Sequence, residues 1–143
     1  MQSLIKHIML GVDGSAPSKR AAEYAVCLAL IQNSRVTVVH AYTVASTLKA
    51  NASDLPTNAS PYEVAHSLIF DTVDFLRNEG IENVEQIVEE GPAVNVLIDA
   101  IESCAPDMII VGARGTSEWN GTIQGSVSAA VTQRAPCPVL VVK

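Results

Sequence analysis

Apolar positions along this chain fall into two alternating kinds of segment. Short continuous runs rich in β-branched residues alternate with longer segments whose apolar residues recur every three or four positions. Leu4 to Val12 is apolar apart from Lys6-His7 and predicts a first strand. Pro17 to Ile31 predicts a helix: Ala22, Ala25, Val26, Ala29 and Leu30 recur at helical spacing, while Lys19, Arg20 and Glu23 lie elsewhere on the wheel. Asn33-Ser34 interrupts, and Val36 to Ala41 predicts a second buried strand. The stretch 43–60 has no period, contains Pro56, and is expected to be irregular. Pro61 to Asn78 predicts a helix with Ala65, Leu68, Ile69, Val73 and Leu76 on its apolar face, ended by Glu79-Gly80. Val84 to Glu90 is a more polar strand, suited to a sheet edge. Pro92 to Cys104 predicts a third helix, Met108 to Val111 a buried strand, Ser126 to Ala135 a fourth helix and Pro138 to Val142 a last short strand.

Strands that alternate with helices give a parallel sheet with helices on both faces. The expectation is an α/β domain of five strands and four helices spanning residues 1–143, without an internal repeat or linker. The carboxyl ends of strands one, two and four then converge where ligands bind in open α/β sheets.

One stretch carries the candidate chemistry. Gly112-Ala113-Arg114-Gly115-Thr116 follows a buried strand, and Gly125-Ser126-Val127-Ser128 opens a helix. A strand, a glycine-containing loop and a helix N-terminus, in that order, favour an anion. Gly112, Gly115 and Gly125 are expected to take positive φ or to admit close approach of a ligand. Loop N–H groups can form a nest, the helix N-terminus adds its dipole, and Ser126 and Ser128 are expected to supply hydroxyl donors. The loop is not a Walker A sequence, since Gly-Lys-Ser/Thr does not occur, and it is not Gly-x-Gly-x-x-Gly. The alternative is a glycine-containing connection with no ligand.

At the end of the first strand, Gly11-Val12-Asp13-Gly14-Ser15 places a carboxylate at the same edge. Asp13 is either a ligand group or a helix cap. Ser15, just before Pro17, can take the capping role instead. His40 is weighed as a catalytic group against a structural histidine bonded at the sheet end, and the structural role is preferred; His7 and His66 are assigned no role.

Composition narrows the function. Hydrophobic residues are 48% and charged residues 17% of 143, which marks a folded chain. A formal net charge of −6, with no basic cluster, argues against a nucleic-acid partner, so any phosphate site must rest on local N–H groups, with or without a metal ion, and not on a general positive field. Cys27, Cys104 and Cys137 form no Cys-x-x-Cys pair and are expected to be reduced, mostly buried thiols of a cytoplasmic protein. No signal peptide and no membrane span is expected. The sequons at Asn51 and Asn58 are then chance matches.

Ile8 to Ser15, Val38 to Ala41, Asp107 to Gly115, Gly125 to Ser128 and Cys137 to Val142 together resemble the universal stress protein family, nearly end to end. The spacing Gly-2x-Gly-9x-Gly-Ser from Gly112 to Ser126 resembles its ATP-binding branch. That resemblance implies sheet order 3-2-1-4-5, a homodimer, and bound ATP with a divalent ion such as Mg2+. It implies that Asp13 meets the ribose and the backbone near Ala41 meets adenine. Gly112, Arg114, Gly115 and Gly125 to Ser128 would hold phosphates. The candidate binding set is Gly11, Asp13, Ala41, Gly112, Arg114, Gly115, Thr116, Gly125, Ser126, Val127 and Ser128. Glu118 and Trp119 depart from the small or polar residues usual in the loop. Trp119 could stack on a base or serve as cover, and nothing in the spacing brings Glu118 to a hydrolytic water. The apolar strand Pro138 to Val142, guarded only by Lys143, is expected to pair with its copy in a dimer. Three functions compete: a nucleotide-dependent switch, a slow ATP hydrolase, and an interaction module with a vestigial pocket.

Overall fold

The computed structural model describes residues 3–44, 58–114 and 125–143. Among them are β1 (His7–Gly11), α1 (Ala16–Gln32), β2 (Arg35–Tyr42), α2 (Pro61–Asn78), β3 (Val84–Glu90), α3 (Ala93–Cys104), β4 (Met108–Gly112), α4 (Ser126–Arg134) and β5 (Val139–Val142). The strands form one parallel sheet in the order β3-β2-β1-β4-β5. The polar strand β3 lies at one edge and β5 at the other, as its place at the end of the order requires.

The continuous apolar runs are explained by burial on both faces. Ile8, Leu10, Val36, Val38 and Ile110 point to a core built with α1 and α2. Met9, Val39, Ile109 and Val111 point the other way, to a core built with α3 and α4. Successive strand residues face opposite sides, so each central strand feeds both cores. β1 sits between β2 and β4, and its five residues are all buried.

Some boundaries and faces differ from the sequence expectation. β1 begins at His7, not Leu4, and Leu4 is 85% exposed. The backbone N–H groups of Lys6 and His7 both donate to the Asp107 carboxylate at 2.9 Å, so the entry to β4 sets where the ladder starts. Leu30, assigned to the buried face of α1, is instead 52% exposed; Ala21 is buried with Ala22, Ala25, Val26 and Ala29. The small residues let α1 lie close to the sheet, and a narrow stripe suffices. The cysteines are less buried than expected. Cys27 is exposed on α1, and Cys104 and Cys137 are half-buried. Burial, and then the charge of Asp107, push the Cys137 thiol up, away from the reactive thiolate.

Backbone packs closely on backbone between the end of β4 and the first turn of α1. A Cβ on Gly112 would stand 2.9 Å from both Pro17 Cβ and the Ser18 backbone nitrogen. Backbone cannot yield as a flexible side chain does. Gly112→Ala is therefore expected to destabilise the fold by about 1–3 kcal/mol. Urea unfolding should show a lower midpoint with an unchanged slope; an unchanged midpoint would mean that α1 can shift freely.

Candidate functional site

Three connections meet at the carboxyl edge of the sheet. The first is the β1–α1 turn. Ser15 is the N-cap of α1: its Oγ accepts from the Ser18 N–H at 3.3 Å, and Pro17 lies in the first turn. The helix cap is thus Ser15, and Asp13 is left at the turn itself. The Asp13 carboxylate accepts from the Ser15 N–H at 2.9 Å, and the Asp13 N–H donates to Ser18 Oγ at 3.0 Å. Asp13 is half-buried. Gly14 takes φ +84°, and a Cβ there would stand 2.9 Å from Leu68 Cδ1 of α2. The turn therefore requires glycine at 14, which the sequence reading left out of the site although the Asp-Gly pair is a turn signal.

The second connection is the exit of β4. The Ala113 carbonyl accepts from the Gly125 N–H and, at 2.9 Å, from Ser128 Oγ. The Ser128 hydroxyl also lies 3.1 Å from the Gly125 carbonyl, and the residue is buried. Its hydroxyl ties α4 to β4 instead of facing a ligand, contrary to the sequence expectation; its backbone N–H remains in the first turn of α4. Gly125 is the N-cap of α4, with φ −74° and no side-chain cap bond. Neither Gly125 nor Gly112 takes positive φ. Gly112 ends a strand and Gly125 precedes a helix, and both positions call for extended backbone. Their value lies in the missing side chain. Arg114 is exposed, and its carbonyl accepts from Ser15 Oγ at 3.3 Å, joining the first connection to the second. Gly115 and Thr116, with Glu118 and Trp119, lie outside the described residues.

The third is the end of β2. Gly11 pairs with Val39, so β2 continues three residues past β1 and carries Ala41 roughly 7 Å beyond it. A Cβ on Gly11 would stand 3.1 Å from Leu97 and Val111, which makes Gly11 a packing residue. His40 is buried, and its Nδ1 lies 2.8 Å from the Val12 carbonyl. That is the structural role preferred from the sequence. Burial lowers its pKa, with the Val12 carbonyl and the Asp13 charge pulling weakly the other way. His40 is neutral at pH 7 and donates from Nδ1.

Hydrogen bonds and close packing thus bring together Asp13, Ser15, Gly112, Ala113, Arg114, Gly125 and Ser128, with Ala41 beside them on the neighbouring strand. A cavity of about 490 Å³ lined by Lys6, Asn33, Ser34, Arg35 and Asn83 lies at the opposite, amino edge and holds none of these residues. Among the described residues, no group of three His, Cys, Asp or Glu is placed to hold a metal ion. No helix among them is long and apolar enough to cross a membrane.

A doubly wound parallel sheet whose crevice opens at the β1/β4 switch point defines a large class of ligand-binding α/β proteins. Within that class, residues 4–143 match the universal stress protein family, and the chain belongs to it. Universal stress protein Rv1636 of Mycobacterium tuberculosis is 31% identical, over 98% of this chain and 97% of its own length. The structure of universal stress protein UspA from Lactobacillus plantarum superposes with a TM-score of 0.78 at 20% identity, covering 100% of this chain and 99% of that one. A universal stress protein solved in complex with cAMP superposes with a TM-score of 0.74 at 25% identity, covering 96% of each chain.

The two buried histidines predict an acid response. His7, whose Nε2 lies 2.7 Å from Thr37 Oγ1, also has its pKa lowered, by burial and then by Arg35. A histidine with a lowered folded pKa binds fewer protons folded than unfolded. Its contribution is complete above the unfolded value of 6.5 and is lost as pH falls from there through the folded pKa. Each can add a slope of up to about 1.4 kcal/mol per pH unit. Unfolding free energies between pH 7.5 and 5 should fall with acid, and His40→Gln should flatten that fall. An equal slope in the variant would show that His40 takes up its proton in the fold as it does in the unfolded chain.

Proposed function

We propose that this chain binds an adenine nucleotide, ATP carried with a divalent ion, at the carboxyl edge between β1 and β4, and that occupancy sets its state as a dimeric switch. The observation that carries the reading is the start of α4. It opens at a glycine with no side-chain cap, directly beside the β4 exit and the Asp13 turn. A helix N-terminus at that place suits an anionic group, because its dipole end is positive. The complex of a similar universal stress protein with cAMP supports a nucleotide as the class of ligand.

The residues present fit such a group. Backbone N–H groups of Ser126, Val127 and Ser128 would hold phosphates, with Arg114, Gly115 and Thr116 beside them and Gly112 and Gly125 framing the loop. Asp13 would accept from ribose hydroxyls, and the backbone near Ala41 would meet the base, with Gly11 beneath. Mg2+ would ride on the phosphates. This arrangement supplies binding and orientation.

Asp13→Ala is expected to weaken ATP binding, since a hydrogen bond to a charged group is worth roughly 1.5–3 kcal/mol. The wild type should bind 2′,3′-dideoxy-ATP more weakly than ATP, and Asp13→Ala should hardly distinguish them. Asp13→Asn keeps an acceptor for the Ser15 N–H and controls for the turn. If calorimetry finds equal discrimination by both proteins, Asp13 serves the turn alone.

The dimer is proposed through β5. Among the described residues this edge strand pairs with β4 alone, and Val139, Leu140 and Val141 are half-buried. Antiparallel pairing with a second copy would satisfy both edges about a two-fold axis. Sedimentation equilibrium should find a dimer, converted to monomer by Val141→Pro, which lacks an N–H. A wild-type monomer at micromolar concentration would remove the proposal.

A further inference from the structure

Above the sheet edge beside the proposed site stands a cluster of rings. Tyr42 ends β2, and its ring centroid is 6.5 Å from that of Tyr62 in a T-shaped contact. The ring of His66 lies 4.3 Å from Tyr62, tilted by 59°. Tyr62 has the helical phase of Ala65, Ile69, Val73 and Leu76, the buried stripe of α2. It is nevertheless 53% exposed. α2 runs antiparallel to the strands, so its first turn overhangs the carboxyl edge, where the sheet no longer covers it. A ring on the core-facing stripe is thereby left open beyond the end of β2, beside Tyr42.

That ring is held in place. Ser60 and Glu63 form a reciprocal capping box, Ser60 N–H to Glu63 Oε2 at 2.7 Å and Glu63 N–H to Ser60 Oγ at 3.2 Å, with Pro61 between. The first turn of α2 is thus fixed at both capping bonds, and Tyr42 and His66 brace the ring. The Asp13 turn also meets the same helix. The α4 N-terminus and Arg114 adjoin the Ser15–Asp13 turn, and Gly14 of that turn packs on Leu68. Tyr62 lies six residues before Leu68, about 9 Å along the helix axis. Across the carboxyl edge, the start of α4 beyond β4, the Asp13 turn beyond β1 and the ring cluster beyond β2 therefore stand in the order of the strands.

We infer that Tyr62, braced by Tyr42 and His66, is a stacking surface for the heteroaromatic base of the bound nucleotide. The inference rests on the nucleotide-binding reading above and adds to it a specificity element: affinity for a planar base, purines above pyrimidines, with little preference between adenine and guanine from this ring alone. Stacking responds to ring area and not to hydrogen-bond edges.

The test is calorimetry on the full chain with ATP, GTP and inorganic tripolyphosphate. Tyr62→Ala should weaken ATP and GTP by about five- to hundredfold, leave tripolyphosphate unchanged, and be rescued by Tyr62→Phe. An NMR cross-peak between the adenine H8 or H2 and the Tyr62 ring should appear in the wild type, a readout that does not depend on the variant folding. Equal weakening of all three ligands would make Tyr62 a structural residue and overturn the inference. Unchanged ATP affinity, or no cross-peak at saturation, would overturn it while leaving the phosphate site standing. A wild type that binds no nucleotide would overturn both.

Discussion

The approach of β4 to the first turn of α1 is the contact on which the edge depends. Gly112 lies so near Pro17 and Ser18 that no Cβ fits between them. That distance brings the β1–α1 turn within hydrogen-bond reach of the β4 exit, so that Ser15 can bond to the Arg114 carbonyl. The exit in turn holds the start of α4 through the Ala113 carbonyl. Three segments far apart in sequence are joined by one missing side chain and one bifurcated acceptor. The glycine acts here by absence of bulk, with ordinary extended backbone.

The polar groups at this edge serve two ends at once. Asp13, Ser15, Ser18 and Ser128 satisfy backbone groups that the ends of β1, α1 and β4 leave unpaired. Satisfying them holds the turns still, and still turns present their remaining groups in a fixed arrangement. His40 belongs to the same economy. Two positions before the end of β2, it closes the β1 end by bonding Val12, and burial keeps it uncharged beside Asp13.

Much of this was legible in the chain. Periodicity placed the five strands and four helices found among the described residues, because a strand covered on both faces must be apolar throughout and a helix on one face must not. It placed β3 at an edge from its glutamates, and α2 at its observed limits from Pro61, Asn78 and the apolar stripe between them. Ser15 as cap and His40 as a structural group followed from local chemistry. The limits of β1 did not follow, because the carboxylate of Asp107, a hundred residues away, captures the N–H groups that begin it. Nor did the exposure of Leu30 and Cys27, which depends on how narrow a stripe an alanine-lined helix needs.

By itself, then, the sequence determined the class of fold, the family, and which segments reach the carboxyl edge, since these rest on local pattern and on motif spacing. Only the tertiary structure decided what each of those residues does there. Gly112 proved a packing glycine, Gly14 a glycine of positive φ, and Ser128 a latch. Tyr62 shares the phase of a core stripe, and only the place where the sheet stops leaves it open to solvent. Direction, distance and exposure are properties of neighbours remote in sequence, and no local pattern contains them.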